Sequence, residues 1–222
     1  MVRQAHHDIT DKVILSLSND TPSYKWENFF RSLGLLNVAG VDEAGRGALA
    51  GPVVAGAVIL PKGCKIENLN DSKQLTSKER EEIFLIIQQE AIAWSVGIVD
   101  QNAIDQTNIL KASLSAMKIA VTKLSTAPDL LLVDGNIKIP IETPQKTIVR
   151  GDSLSYSIAA GSIVAKVTRD KMMVDFDSQF PGYDFKTNKG YGTAKHIKQI
   201  LNCGASPIHR QSFDPIKSLK KS

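Results

Sequence analysis

The sequence predicts an α/β layer fold around a mixed central sheet of about five strands flanked by helices. Three observations predict it. Apolar runs of strand length come first, at 37–43 and 53–60, and helical patterns then alternate with further strands. Leu130 to Val133 is a short, wholly apolar run that stops at Asp134-Gly135, as a buried strand would. The chain has 222 residues, 42% hydrophobic and 23% charged, enough for one sizeable core and too apolar for disorder.

Taken in order, residues 1–20 lack periodicity and are expected to fray. Thr21-Pro22-Ser23 should open a short helix, with Thr21 as cap and Pro22 in the first turn. Tyr24, Phe29, Phe30 and Leu33 would supply its apolar contacts, and Gly34 its end. Strand one spans Asn37 to Glu43 and strand two Val53 to Leu60, joined by a glycine-rich hairpin or bulged loop, Gly45–Gly51. Asp71 to Leu75 is a polar loop. Thr76-Ser77-Lys78-Glu79 reads as a capping box for a helix to about Gln89. Ala91 to Val99 is strand three. A helix from Gln106 to Leu124 would bury Ile109, Leu110, Leu114, Met117 and Val121. After the Leu130–Val133 strand comes a short strand, Lys146 to Val149, and a long helix from Ser153 to Phe180. Its Ala159-Ala160-Gly161-Ser162 segment permits close approach to a sheet or a ligand. A glycine-punctuated loop, Thr187 to Thr193, precedes a helix from Ala194 to Leu201. Residues 1–36 are thus expected as an N-terminal extension, 37–185 as the core, and 186–222 as a basic segment packed on that core.

No run approaches the roughly 18 apolar residues of a membrane span, and the N-terminus has no apolar signal region. Cys64 and Cys203 are too few for a disulfide framework and lack zinc spacing, so an intracellular, cytoplasmic location is expected. The net charge of +4 is mild, but its distribution is uneven. Residues 186–222 hold eight Lys/Arg and one acid, so the rest of the chain carries −3. A basic end beside an acidic body suits a polyanion held near carboxylates. For Lys217 to Ser222 a solvated tail is the simpler reading.

Those carboxylates stand at element ends: Asp42-Glu43 at the end of strand one, Asp134 after a buried strand, and Asp152 before the long helix. Sites in open α/β sheets form at the carboxyl ends of strands. Four acids meeting there would repel unless a divalent cation neutralised them, and oxygen-only ligands favour Mg²⁺ or Mn²⁺. Two such ions, roughly 3.5–4 Å apart, would activate a water and stabilise a leaving oxygen. Taken alone, Asp134-Gly135 reads equally as a turn and Asp152 as a helix cap. Asp42-Glu43 resists a bland reading, because adjacent acids after an apolar strand are costly unless paired or ligated. Consecutive strand residues point to opposite faces, so both are expected to reach one site only where the strand breaks. Asp129 lies roughly 16 Å from Asp134 along its strand. Asp170 lies roughly 27 Å along the helix from Asp152, and is expected to pair with a nearby Lys or Arg.

VDEAGRGALAGPVVAGAVIL, DSKQL, LLVDG, KTIVRGDSLSYSIAAGSIVAKVTRD and NKGYGTAKH, in that order, closely resemble bacterial ribonuclease HII over roughly residues 37 to 215. The resemblance implies a ribonuclease H-like fold with a helical C-terminal part. It implies Mg²⁺- or Mn²⁺-dependent cutting of RNA in RNA–DNA hybrids, and incision 5′ to single ribonucleotides in duplex DNA; a monomer without membrane contact is expected. It makes Asp42, Glu43, Asp134 and Asp152 the metal-binding carboxylates. It makes Gly45-Arg46-Gly47 a reader of the 2′-hydroxyl and scissile phosphate, Tyr191 a ring stacking near the RNA–DNA junction, and Lys73 a phosphate contact. Glycines let backbone approach a ligand closely, and the 2′-hydroxyl is what separates RNA from DNA. Arg46 can also be read as an ion-pair partner of Glu43, Tyr191 as a packed loop aromatic, and His196 and His209 as surface or satisfied histidines. Gly161 stands where the family commonly has Ala. The related ribonuclease HIII usually has an extra N-terminal domain and Glu as its fourth acid; Asp152 favours HII. A non-catalytic hybrid binder would gain nothing from four acids, and a nuclease for other DNA structures would leave the Gly-Arg-Gly and Tyr191 pair unexplained.

Overall fold

Two antiparallel strands, β1 (Val38–Ala44) and β2 (Val53–Ile59), are covered on both faces, which is why their sequences are almost continuously apolar. They are the centre of a computed structural model that describes residues 22–69 and 75–219. The sheet has five strands in the order β3-β2-β1-β4-β5, with β3 at Ala93–Val99, β4 at Leu130–Asp134 and β5 at Gln145–Ile148. β3, β2 and β1 pair antiparallel, whereas β1, β4 and β5 pair parallel. This is the mixed sheet expected from the sequence.

Helix α1 (Lys25–Ser32) precedes the sheet, and α2 (Ser77–Glu90) links β2 to β3. Thr76 and Glu79 form the expected capping box of α2. A short helix that the sequence reading does not include, α3 (Gln101–Gln106), precedes α4 (Ile109–Thr122), which is the helix expected over 106–124. Asp100 caps the first, and Asn108, in extended backbone, caps the second by accepting from the Lys111 N–H at 2.9 Å. The face of α4 turned to the sheet is Ala112, Ala116, Met117, Ala120 and Val121; Leu110 points outward.

The other face is covered by α5 (Tyr156–Gln179). A Cβ on Gly40 would lie 1.9 Å from the Ser157 backbone carbonyl carbon, so helix and strand touch backbone to backbone. The helix contributes Gly161, whose added Cβ would stand 3.1 Å from the carbonyl oxygens of both Gly40 and Gly56. The small-residue segment therefore serves the sheet. Glu27 of α1 caps this helix from outside: its Oε1 accepts from the Ser155 hydroxyl at 2.7 Å and the Ser157 N–H at 2.8 Å. Trp26, not Leu33, is the large apolar anchor of α1, since Leu33 is exposed. The helix begins after Tyr24, and Thr21 lies outside the described residues.

Beyond α5, the short α6 (Phe185–Asn188), α7 (Ala194–Cys203) and α8 (Ile216–Leu219) gather around Tyr183, Phe185, Ile200, Ile208 and Ile216. Asp105 ties this segment back, accepting from the backbone N–H groups of Gln211 and Ser212 at 2.8 and 2.9 Å. Asp170 pairs with Lys166 at 2.7 Å, as its helical position suggested, and Asp129 accepts from the N–H groups of Leu36 and Asn37. Both cysteines are free. Among the described residues no helix is long and apolar enough to cross a membrane.

Candidate active site

The parallel pairing of β1 and β4 sets their carboxyl ends side by side, with Val41 opposite Val133 as the last pair. Asp42 and Asp134 follow those two residues. Strand β1 does not break after Asp42: Glu43 and Ala44 still pair with Ala55 and Val54. This corrects the expectation that both acids need a break. Asp42 is on the α5 face, where Ser162 hydrogen-bonds its carboxylate, and Glu43 is on the α4 face beside Ser113 and Leu114. The two side chains straddle the end of the strand and meet around it. Gly45, at φ +95°, then turns the chain away.

A cleft of about 450 Å³ at this end is lined by all four acids, by Gly45-Arg46-Gly47 and by Tyr191. Arg80, Ser162 and Lys166 line it as well; of these the sequence reading names only Ser162, in the segment open to a sheet or a ligand. Lys73, expected to contact phosphate, lies outside the described residues. Asp152 is buried in a 3₁₀ turn, Gly151–Ser153, just before α5. The cap of that helix is Ser155, so capping does not account for Asp152. Asp134 accepts from the Gly151 N–H at 2.6 Å, which joins the β4 end to the same turn.

Burial pushes the Asp42 carboxyl well above the usual carboxylate range, and the charges of Glu43 and Asp134 push it further. The Ser162 hydroxyl and the Glu43 N–H, 2.7 Å from Oδ1, oppose that rise only in part. Glu43 is also raised by burial, against the Arg46 guanidinium 3.0 Å from its Oε1. The ion-pair reading of Arg46 is therefore realised, while its guanidinium stays half exposed beside the cleft. Acids that disfavour each other's charge are what a cation would relieve.

Among the described residues no three acidic, imidazole or thiol groups are drawn close enough to hold a metal ion as they stand. Glu43 is turned to Arg46 and Asp134 to the Gly151 N–H. The donor chemistry nevertheless fits a hard divalent cation, with oxygen ligands alone, in one cleft, under mutual repulsion.

Tyr191 is half buried, with the Arg169 and Lys166 cations 5.4 and 5.6 Å from its ring centre. His196 and His209, read as surface or satisfied, are fully buried and satisfied by each other, Nε2 to Nε2 at 3.0 Å. Arg169 and Arg210, also fully buried, had not been singled out. A signal for Arg169 was present: it stands four residues after Ala165 and eight after Gly161, on the buried stripe of α5.

The family model described as Ribonuclease HII matches residues 39–216. The structure of ribonuclease H2 from Pyrococcus horikoshii OT3 is similar at 26% identity, with 83% of this chain and 97% of that chain covered and a TM-score of 0.70. The ribonuclease HII of the PCNA complex from Archaeoglobus fulgidus is similar at 23% identity, with 81% and 96% covered and a TM-score of 0.65. Bst-RNase HIII in complex with Mn²⁺ is similar at 18% identity, with 86% and 71% covered and a TM-score of 0.64. The last two speak for the fold alone.

Proposed function

The chain belongs to the ribonuclease HII family, and from that premise we propose that it incises duplex DNA 5′ to single embedded ribonucleotides with the help of a divalent metal. Membership makes it a nuclease, a hydrolase of phosphodiester bonds that acts on RNA–DNA hybrids. The observation that carries the finer reading is the shared cleft, where four acids meet a glycine-flanked arginine and an aromatic ring.

Asp42, Glu43, Asp134 and Asp152 would hold Mg²⁺ or Mn²⁺, which when bound supplies the charge that activates a water and steadies the leaving oxygen. The similarly folded Bst-RNase HIII is described in complex with Mn²⁺. Gly45-Arg46-Gly47 offers backbone and a guanidinium to the 2′-hydroxyl and the scissile phosphate. Tyr191 offers a face on which a base or sugar at the junction packs. Lys166 and Arg80 add positive charge along the cleft wall. Water then attacks the phosphorus, leaving a 3′-hydroxyl and a 5′-phosphate.

Nicking assays on a duplex with one ribonucleotide, against an all-DNA duplex, test the reading. Asp134→Asn is expected to lower turnover by at least about a hundredfold while duplex binding stays within about threefold. Unchanged turnover removes Asp134 from the chemistry. Tyr191→Ala is expected to lower kcat/KM at the junction by about tenfold, the usual scale of one lost stacking contact. An unchanged rate returns Tyr191 to a packing role.

A further inference from the structure

Two buried arginines flank the Gly45–Gly47 loop, and neither has a carboxylate for a partner in the bonds it makes there. Arg210 donates through Nη2 to the Gly45 carbonyl at 2.7 Å, through Nη1 to Arg46 at 2.9 Å, and through Nε to Gly51 at 3.0 Å. Arg169 donates to the carbonyls of Pro52, Ala50 and Lys189 at 2.9, 3.0 and 2.9 Å. Burying a guanidinium is costly, and these two also repel each other. Burial and then Arg169 push Arg210 down to about 9. Such a cost is met by charge-assisted bonds to backbone, and their effect is directional. In a planar trans peptide the C=O of one residue opposes the N–H of the next. With the Gly45 and Arg46 carbonyls drawn inward, the N–H groups of Arg46 and Gly47 are turned outward, at two exposed residues on the cleft wall.

The residue before Arg210 holds the other reading element. The Ser206 N–H donates to His209 Nδ1 at 2.8 Å, so the proton of that ring sits on Nε2. His209 Nε2–H therefore donates to His196 Nε2, and His196 Nδ1–H to the Tyr191 carbonyl at 2.9 Å. Backbone completes the link. Ala48 bridges to Tyr191 and Ala50 to His209, while the Leu49 N–H donates to Gly190 O and the Arg210 N–H to Leu49 O. Neither His209 nor Arg210 lines the cleft.

We propose that the His209-Arg210 dipeptide is a positioning clasp: Arg210 orients the Gly45–Gly47 loop, His209 acts through His196 on Tyr191, and together they set how tightly a ribonucleotide-containing strand is engaged. The proposal rests on the functional reading above and adds residues that act without touching substrate.

The test is steady-state nicking of the one-ribonucleotide duplex by the full chain and by R210K, with thermal unfolding of both in chelator and in Mn²⁺. Lysine keeps the charge but cannot reach three carbonyls in a planar fork. No nicking by the parent overturns the functional reading, and the clasp's role with it. With an active parent, R210K is expected to lose at least about tenfold in kcat/KM, chiefly through KM, the scale of a misplaced binding element. Its Mn²⁺-induced rise in Tm should equal the parent's. Parent-like kinetics, or a fall in kcat alone with loss of the Mn²⁺ response, overturns the clasp. If R210K does not fold, His196→Asn and His196→Gln decide. The Asn amide stands where Nδ1 does and keeps the bond to Tyr191; the Gln amide does not. Asn breaks the link to His209 and Gln the link to Tyr191, so each is expected to lose about tenfold or more in kcat/KM, chiefly through KM, with the parent's Mn²⁺-induced rise in Tm kept; parent-like kinetics in either, or loss of the Mn²⁺ response, overturns the proposal.

Discussion

Asp42 sits buried on the α5 face, with Glu43 and Asp134 disfavouring its charge. Replacing it with Asn should therefore stabilise the metal-free fold while ending catalysis. In chelator, Asp42→Asn is expected to unfold about 2–4 °C higher than the parent, for roughly 1 kcal/mol. It should also lose the rise in Tm that Mg²⁺ or Mn²⁺ gives the parent; calorimetry with and without metal checks both. The histidine pair sets a second expectation. Burial, then His196, pushes His209 from its ordinary 6.5 down to about 4, and His196 is lowered too. The unfolded chain takes up protons near pH 6.5 that the folded pair refuses, so stability is full above that value and falls toward pH 4. Tyr183 and Phe185 pack on both rings, Ser206 faces His209, and Arg210 is its neighbour, so no acid among the described residues that act on His209 offsets the fall. Tm measured between pH 7 and 4.5 should drop more steeply in the parent than in His209→Gln. The acids were legible because uncompensated charge after an apolar strand demands a reason. The arginines and histidines were not, since a basic residue reads as solvated until its backbone partners are known.

At the scale of elements, the placement of the cleft depends on α5 lying directly on β1. Gly40→Ala puts a methyl carbon within 1.9 Å of the Ser157 backbone, and neither strand nor helix can yield locally. It should cost about 3 kcal/mol, or roughly 6–12 °C in Tm, with metal-dependent activity falling as Asp42 and Ser162 part. Glu27→Ala, which uncaps α5 from α1, should cost about 2 kcal/mol; urea unfolding monitored by tryptophan fluorescence, from Trp26 and Trp94 together, checks it. The strands and the α2 capping box were readable because their signals are local. The helix expected at α4 starts three residues early, at Gln106 rather than Ile109, although Asn108 is a good cap, and the six-residue helix before it is too short to show a period. The exposed Leu110 shows the same limit: α4 needs its alanines, not its largest residues, to approach β3 closely. The strand break expected at Asp42-Glu43 is absent because a strand's last residues can reach round its end from either face.

For the molecule as a whole, the sheet order joins pieces far apart in sequence. Parallel β4 beside β1 brings Asp134 to Asp42, the turn before α5 brings Asp152, and the C-terminal segment brings Tyr191 and Arg210. Alternating strands and helices foretold the layers but not this order, which is settled by contacts of long sequence separation. The basic C-terminal segment is likewise not simply a solvated face, since Arg210 lies wholly inside. The central claim is that acids and RNA-reading elements act in one cleft. Its most direct measurement maps, at nucleotide resolution, the products from a duplex with one ribonucleotide, incubated with Mg²⁺ or Mn²⁺ and with chelator. One metal-dependent nick immediately 5′ to the ribonucleotide, with a 3′-hydroxyl and a 5′-phosphate, is the predicted result. No nick, or equal cutting of the all-DNA duplex, would contradict it.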